Sequence, residues 1–426
     1  MTTTKNNEHK KLNFSSEREQ SQACLNSAEH EKNQGRKVLN VPNLRFKEFQ
    51  GEWKEERLAD IADLYKGTGI SKDQLSSDGE PCILYGELYT KYKSETIREV
   101  ISKTNIDNTK LVRSKANDVI IPCSGETAED IATARCVLNG NILLGGDLNI
   151  IRLHGYDGAF MSYQLNGRRK YDIAKVAQGV SVVHLYGEHL KGVKTFNPCL
   201  EEQKKIAGLL ALLDERIATQ NKIIEELKKL KSAIIEIEYT PNTKTTSHIG
   251  NVIEQISKRN KNNAIQNVLS VSNRQGFIKQ SDQFENRNVA SEETSNYKIV
   301  EKNDFAFNPA RINVGSIARL TTFEKGIVSP MYICFRTQEN VAPEYIDFVF
   351  ESKHFYCEIQ KRLEGSVRQC LSFEGLCNIP LSLPSFEMQQ LIGKRLFTLG
   401  QKIKTETDLL ELLNKQKQYL LRQMFI

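Results

Sequence analysis

The residues of this chain best suited to chemistry are arginines, asparagines, glutamines and lysines that fall in turn-like stretches. One set runs Lys91, Lys93, Arg113, Lys115, Arg135, Arg168, Arg169 and His184. A second comprises Asn273, Arg274, Asn308, Arg311, Asn313, Arg368 and Gln369. Arginine carries a planar fork that matches guanine edges, asparagine and glutamine pair bidentately with adenine, and lysine suits phosphate oxygens. Any one of them is equally an ordinary solvated side chain. Together they offer contact with nucleic acid rather than bond making. The familiar catalytic signatures are missing: there is no Walker lysine loop, no GxGxxG after a strand and no HExxH. His184 and His189 stand close together without a cysteine or carboxylate cluster to complete a metal site. NPCL at 197–200 and NPAR at 308–311 share only two residues with the Asn-Pro-Pro-aromatic run of adenine methyltransferases. No catalytic, metal-ligating or cofactor-binding residue is assigned.

Both sets need a rigid support, and the sequence supplies one in duplicate. Ile206, Leu210, Leu213, Ile217, Ile224, Leu227 and Ile234 alternate steps of four and three, with polar Gln220 and Lys231 at two seam positions. That is a heptad seam. Adding 186, the separation of Gln220 from Glu406, gives Ile392, Leu396, Leu399, Ile403, Leu410, Leu413 and Leu420, with Glu406 and Lys417 as the polar interruptions. The same offset carries Gly179, Leu185 and Leu190 onto Gly365, Leu371 and Leu376, and Asn117-Asp118 onto Asn303-Asp304. Nearer the N-terminus it drifts: Arg152 matches Arg336, and LADIA at 58–62 matches IGNVI at 249–253. Small loop insertions produce such drift. Each helix of about 40 residues spans about 60 Å, and two such apolar stripes are expected to pack together. Antiparallel pairing about a pseudo-twofold axis sets Gln220 opposite Glu406, a polar layer able to fix the register.

The expected organisation is an extension over 1–40 that is disordered by composition, a first α/β body at 41–199 and a helix at 200–239. A second body at 240–385 and a second helix at 386–426 follow. The fold class is α+β: two tandem α/β bodies separated by two long helices packed as an antiparallel coiled coil. The first body holds β-like DVIIPCSG and LNIIRL with a helix expected at 158–177; the second holds NVLSVS, MYICFR and helical PEYIDFVFES. The formal charge of +6 over 426 residues permits a nucleic-acid partner without requiring one. The nine cysteines form no CxxC pair, and neither a secretory segment nor a long apolar run is evident. The expectation is a cytoplasmic protein with reduced thiols and no membrane association.

The order of these pieces resembles the specificity subunit of bacterial Type I restriction-modification systems. The resemblance is carried by VPNLRFKEFQGEW, by GVSVVHLYGEHL and GSVRQCLSFEGL before the two helices, and by EEQKKIAGLLALLDERI and EMQQLIGKRLFTLGQKI opening them. It covers nearly everything after residue 40. It implies that the bodies are target recognition domains, each reading one half of a bipartite, asymmetric double-stranded DNA target through the major groove. It further implies that the helices form a spacer that sets the gap and docks two modification subunits, with Glu202, Gln203, Ile206, Glu387, Gln389 and Ile392 on the family-like helix starts. Methyl transfer from S-adenosylmethionine, after base flipping, would belong to those subunits. Translocation and cleavage driven by ATP and Mg would belong to restriction subunits, leaving this chain without a cofactor. The competing expectations are a coiled-coil scaffold without DNA specificity and a self-contained DNA enzyme.

Overall fold

The computed structural model describes residues 39–107, 109–179, 182–240, 246–273, 275–283, 293–365 and 369–426. Residues 1–38, Arg274 and Arg368 lie outside them. The chain divides into two compact units, Met1–Glu215 with Lys415–Ile426, and Arg216–Asn414.

In the first unit a five-stranded sheet runs in the order Ala62–Lys66, Leu148–Leu153, Asp118–Pro122, Arg135–Val137, Thr96–Ile97. A four-stranded sheet, Leu143–Leu144, Glu80–Ile83, Ser102–Thr104, Leu75–Ser76, accompanies it. The helix expected at 158–177 is two helices, Gly158–Asn166 and Lys170–Val176. Gly167 ends the first of them, its N–H bonded to Tyr163 O. In the second unit the order Ile253–Ile256, Ile333–Thr337, Phe305–Phe307, Ile317–Arg319 repeats the first four strands of the five-stranded sheet, and a second four-stranded sheet again accompanies it.

The repeated residues are those that fix the backbone. Asn117 and Asn303 take φ of 78° and 72°, a left-handed conformation that asparagine tolerates better than most side chains. Each turns the chain into a central strand. The next residue, Asp118 or Asp304, accepts from a backbone N–H at 2.7 Å, that of Lys115 or Glu301 respectively. It also receives an arginine from the neighbouring strand: Arg152 reaches Asp118 at 2.9 and 2.7 Å, and Arg336 reaches Asp304 at 3.1 Å through both nitrogens. These forked pairs tie two strands and a turn at one point in each unit.

The long helices span Leu200–Tyr239 and Phe386–Gln423. Acidic side chains in the first turns, Glu201, Glu202 and Glu387, complement the helix dipole. A glutamine then anchors each start. Gln203 accepts from Asp157 N–H at 2.9 Å and donates to Pro198 O at 2.8 Å. Gln389 accepts from Ala342 N–H at 3.0 Å and donates to Pro384 O at 2.9 Å. Both are 2% exposed, so a single buried amide joins the pre-helix proline to the entrance of a helix of the α/β body. Glu202 is also buried and paired with Arg45 at 2.8 Å, and Ile206 and Ile392 lie in the cores. Of the six helix-start residues, Glu387 alone is exposed.

Every seam position is buried or half-buried. In the first unit Ile206 and Leu210 share a core with Trp53, Phe160, Met424 and Phe425, so the start of one helix meets the end of the other. In the second unit Ile392 and Leu396 share a core with Ile235, Tyr239 and Tyr345. This is antiparallel pairing within each unit. Gln220 donates to Glu406 through its backbone O at 3.0 Å and its carboxylate at 2.5 Å. Lys402 and that amide hold the Glu406 carboxyl below the usual glutamate range.

The seam lysines leave the seam. Lys417 bridges Glu95 at 2.5 Å and Asp214 at 2.6 Å, and Asp214 further accepts from Tyr163 Oη at 2.8 Å and Ser94 Oγ at 2.9 Å. Burial pushes the Glu95 carboxyl up, against the pull of Lys417. In the second unit Lys231 reaches Glu351 at 2.6 Å and lies 5.0 Å over Phe348. Each lysine therefore joins a long helix's C-terminal part to an α/β body.

Two outcomes are expected from chemical denaturation. Gln203→Ala or Gln389→Ala strands a buried N–H and a carbonyl and lowers stability by about 2 kcal/mol, whereas Glu387→Ala changes it by less than about 0.5 kcal/mol. Lys417→Met leaves two carboxylates unpaired and costs about 3 kcal/mol or more. Adding Glu95→Gln and Asp214→Asn to that variant recovers most of the loss.

Candidate functional site

Each unit presents one pair of loops built on the same backbone scheme. In the first unit, the segment after the central strand Asp118–Pro122 forms Ser124–Gly125, which pairs antiparallel with Val183–His184. Leu185 N–H donates to Cys123 O at 2.9 Å. Gln178 and His184 exchange backbone hydrogen bonds at 2.9 and 2.7 Å, closing a loop entered through Gly179. Gly179 has φ of 124°, and a Cβ there would lie 2.1 Å from Val182 O, so only glycine fits. In the second unit Leu371 N–H donates to Pro309 O at 3.0 Å, Glu364 and Cys370 exchange backbone bonds, and Gly365 has φ of 106°. The position of Leu371 on Pro309 repeats that of Leu185 on Cys123 at the same offset of 186. Main-chain bonds hold these loops, which leaves many of their side chains free to vary.

The side chains do vary. In the first unit Ser124 Oγ lies 3.3 Å from His184 Nδ1, and the exposed His184 ring stacks on Tyr186 with centroids 6.2 Å apart. In the second unit the exposed residues are Arg311, Asn273 and Gln369, with Asn313 half-buried. Asn308 is 7% exposed and its Oδ1 accepts from Ala310 N–H at 3.1 Å, so it shapes the loop. Beside the first loop pair lies a cleft of about 750 Å³. It is lined by Tyr85, Tyr89, Lys93, Ser124, Glu126, Asp130, Thr133 and Arg135 among others. Tyr89 Oη closes one wall by donating to Ser124 O at 3.1 Å, and burial raises its pKa.

Several of the cations singled out from sequence are structural. Arg135 does not sit on a loop. It lies in the strand Arg135–Val137, is 8% exposed, and donates to Tyr92 O at 3.1 Å and Ala134 O at 2.9 Å. Its counterpart Arg319 is likewise buried, bonded to Glu344, Asp347 and Asn303. Arg168 and Arg169 hold the other end of the chain, donating to Arg422 O at 3.1 Å and Ile426 O at 2.8 Å. Lys91 is taken by Glu87 and Ser102, and Lys93 by Tyr89 O at 2.6 Å. Arg113 pairs with Glu80 at 2.5 Å and also with Asn141. Lys115 is exposed on the turn before Asp118. Of the first set, only His184 lies on the loop pair.

Sequence reading did not single out Ser124 or Tyr186. The offset that aligns the helices was a usable signal, because it sets PCSG at 122–125 against NPAR at 308–311, and His184 against Cys370. Among the described residues no group of three or more His, Cys, Asp and Glu could hold a metal ion. No described helix is long and apolar enough to cross a membrane.

Residues 50–229 match the family model described as Type I restriction modification DNA specificity domain. Over 416 residues the chain is 23% identical to the Type I restriction enzyme MjaVIII specificity subunit of Methanocaldococcus jannaschii, covering 88% of this chain and 92% of that protein. Its fold is that of the Type I restriction-modification S subunit from M. genitalium, with a TM-score of 0.59 and 17% identity over 91% of this chain and 99% of the other. Taken with the duplicated sheets and the paired helices, these comparisons make the chain similar, over most of its length, to Type I restriction-modification specificity subunits.

Proposed function

We propose that this chain is the DNA-reading subunit of a Type I restriction-modification complex and performs no bond chemistry itself. Each unit reads one half of a bipartite, asymmetric target. The observation that carries this reading is the duplicated loop pair. One backbone scheme, repeated at equivalent positions, presents Ser124 and His184 in one unit and Ala310 and Cys370 in the other, where the neighbouring Arg311 and Gln369 are exposed. A frame built twice with different side chains suits two different half-sites.

The helices are proposed to set the gap between the half-sites and to dock two modification subunits. Outside the seam they carry exposed apolar side chains. Ile223, Leu230 and Ile237 recur every seven residues at 40%, 52% and 76% exposure. Such a stripe suits a partner helix. In this reading S-adenosylmethionine acts on the modification subunits, while ATP and Mg serve restriction subunits. The working compartment is the cytoplasm.

A genome-wide methyl-adenine map tests the proposal in a host expressing this chain with a cognate modification subunit, against that subunit alone. The expected result is a new split motif with a fixed gap. A stable complex with no new motif overturns DNA reading in favour of a scaffold. In the same assay Arg311→Ala is expected to relax one half-site while sparing the other, with a loss of about 1–3 kcal/mol at the affected position. Equal weakening on unrelated sequences would make Arg311 a phosphate contact.

A further inference from the structure

We infer that Ser124 and His184 form a base-reading pair in the first unit, addressed to a hydrogen-bond acceptor on a base edge in the major groove, and so to any base but cytosine. The inference rests on the DNA-reading function proposed above and names side chains that perform it.

Four observations converge on this pair. First, its position is fixed by the backbone: Ser124 and His184 are register partners in the ladder of Ser124–Gly125 with Val183–His184. Second, the imidazole is held at two places, by Ser124 Oγ 3.3 Å from Nδ1 and by the stacked Tyr186 ring. Tyr186 is itself met edge-on by His189 at 5.6 Å. An exposed ring held this way loses less rotamer freedom on contact than a free one. Third, Ser124 lines the 750 Å³ cleft and the His184 ring is exposed, so neither side chain is packed into the core. Fourth, the equivalent residues of the second unit are Ala310 and Cys370. The loop frame is shared but this polar pair is not, as expected of a specificity element and not of a structural one.

The chemistry follows from the tautomer. In the tautomer in which the serine hydroxyl donates to Nδ1, the neutral imidazole carries its hydrogen on Nε2. An N–H donor on an exposed ring matches the major-groove acceptors, which are purine N7, guanine O6 and thymine O4. Cytosine offers only its N4 amino donor there.

The test compares methyl-adenine maps for the unsubstituted chain and for Ser124→Ala, Ser124→Thr and His184→Ala, each with the modification subunit. His184→Ala and Ser124→Ala are expected to relax one base position of one half-site, lowering discrimination there about tenfold. The other half-site and the gap stay unchanged. Ser124→Thr keeps the hydroxyl and the original motif. Where His184→Ala gives no methylation at all, Ser124→Ala, a smaller change, decides. An unchanged motif in both alanine variants, or a uniform loss of methylation with the motif intact, overturns the pair as a reader. No split motif from the unsubstituted chain would overturn the DNA-reading function itself.

Discussion

The constraint on which this structure depends is that a long amphipathic helix must bury its stripe along its whole length. Neither long helix can do so alone. Each unit meets the demand by packing the start of one helix with the end of the other against an α/β body. The first unit does this with Ile206 and Leu210 against Met424 and Phe425, the second with Ile392 and Leu396 against Ile235 and Tyr239. Of the aromatic ends, Tyr239 stacks on Tyr345 with centroids 4.6 Å apart and Phe425 meets Phe160 in a tilted contact at 5.2 Å. The hydrophobic term is non-directional and cannot choose the register. That choice falls to polar contacts: Gln220 with Glu406, Lys417 with Glu95 and Asp214, Lys231 with Glu351.

The same division of labour holds within the bodies. Apolar strands build the sheets, and a few buried polar side chains fix where the chain turns. Asp118 with Arg152, Asp304 with Arg336, Gln203 and Gln389 each satisfy several groups at once. Loss of one would orphan its partners, which explains why these residues reappear in both copies while the loops around them differ.

Much of the fold was legible because it is periodic. The seam, its polar interruptions and the 186-residue offset are written along the chain, and Asn117-Asp118 with Asn303-Asp304 marked the strand entrances. The reading surface was far less legible. Arg135, Arg168 and Arg169 read as loop cations, yet they are spent on backbone carbonyls inside the first unit. Residue type gives a side chain's hydrogen-bonding capacity, but its direction is set by tertiary neighbours such as Tyr92 O and Ile426 O, which are remote in sequence. Ser124 escaped notice for the converse reason: a serine acquires meaning only from the histidine that the ladder brings beside it.

The loops closed by Leu185 on Cys123 and by Leu371 on Pro309 are held by N–H and C=O groups that every residue except proline supplies. Side chains at Ser124, His184, Ala310 or Cys370 can therefore be exchanged without removing the bonds that shape the loop. In the reading proposed for this chain, stability and recognition are stored in separate parts of the molecule, the first in buried polar and apolar contacts, the second in surface positions of low folding consequence. A chain built so can drift from one target to another through folded intermediates, because the substitutions that alter what it reads are among those that least disturb how it folds.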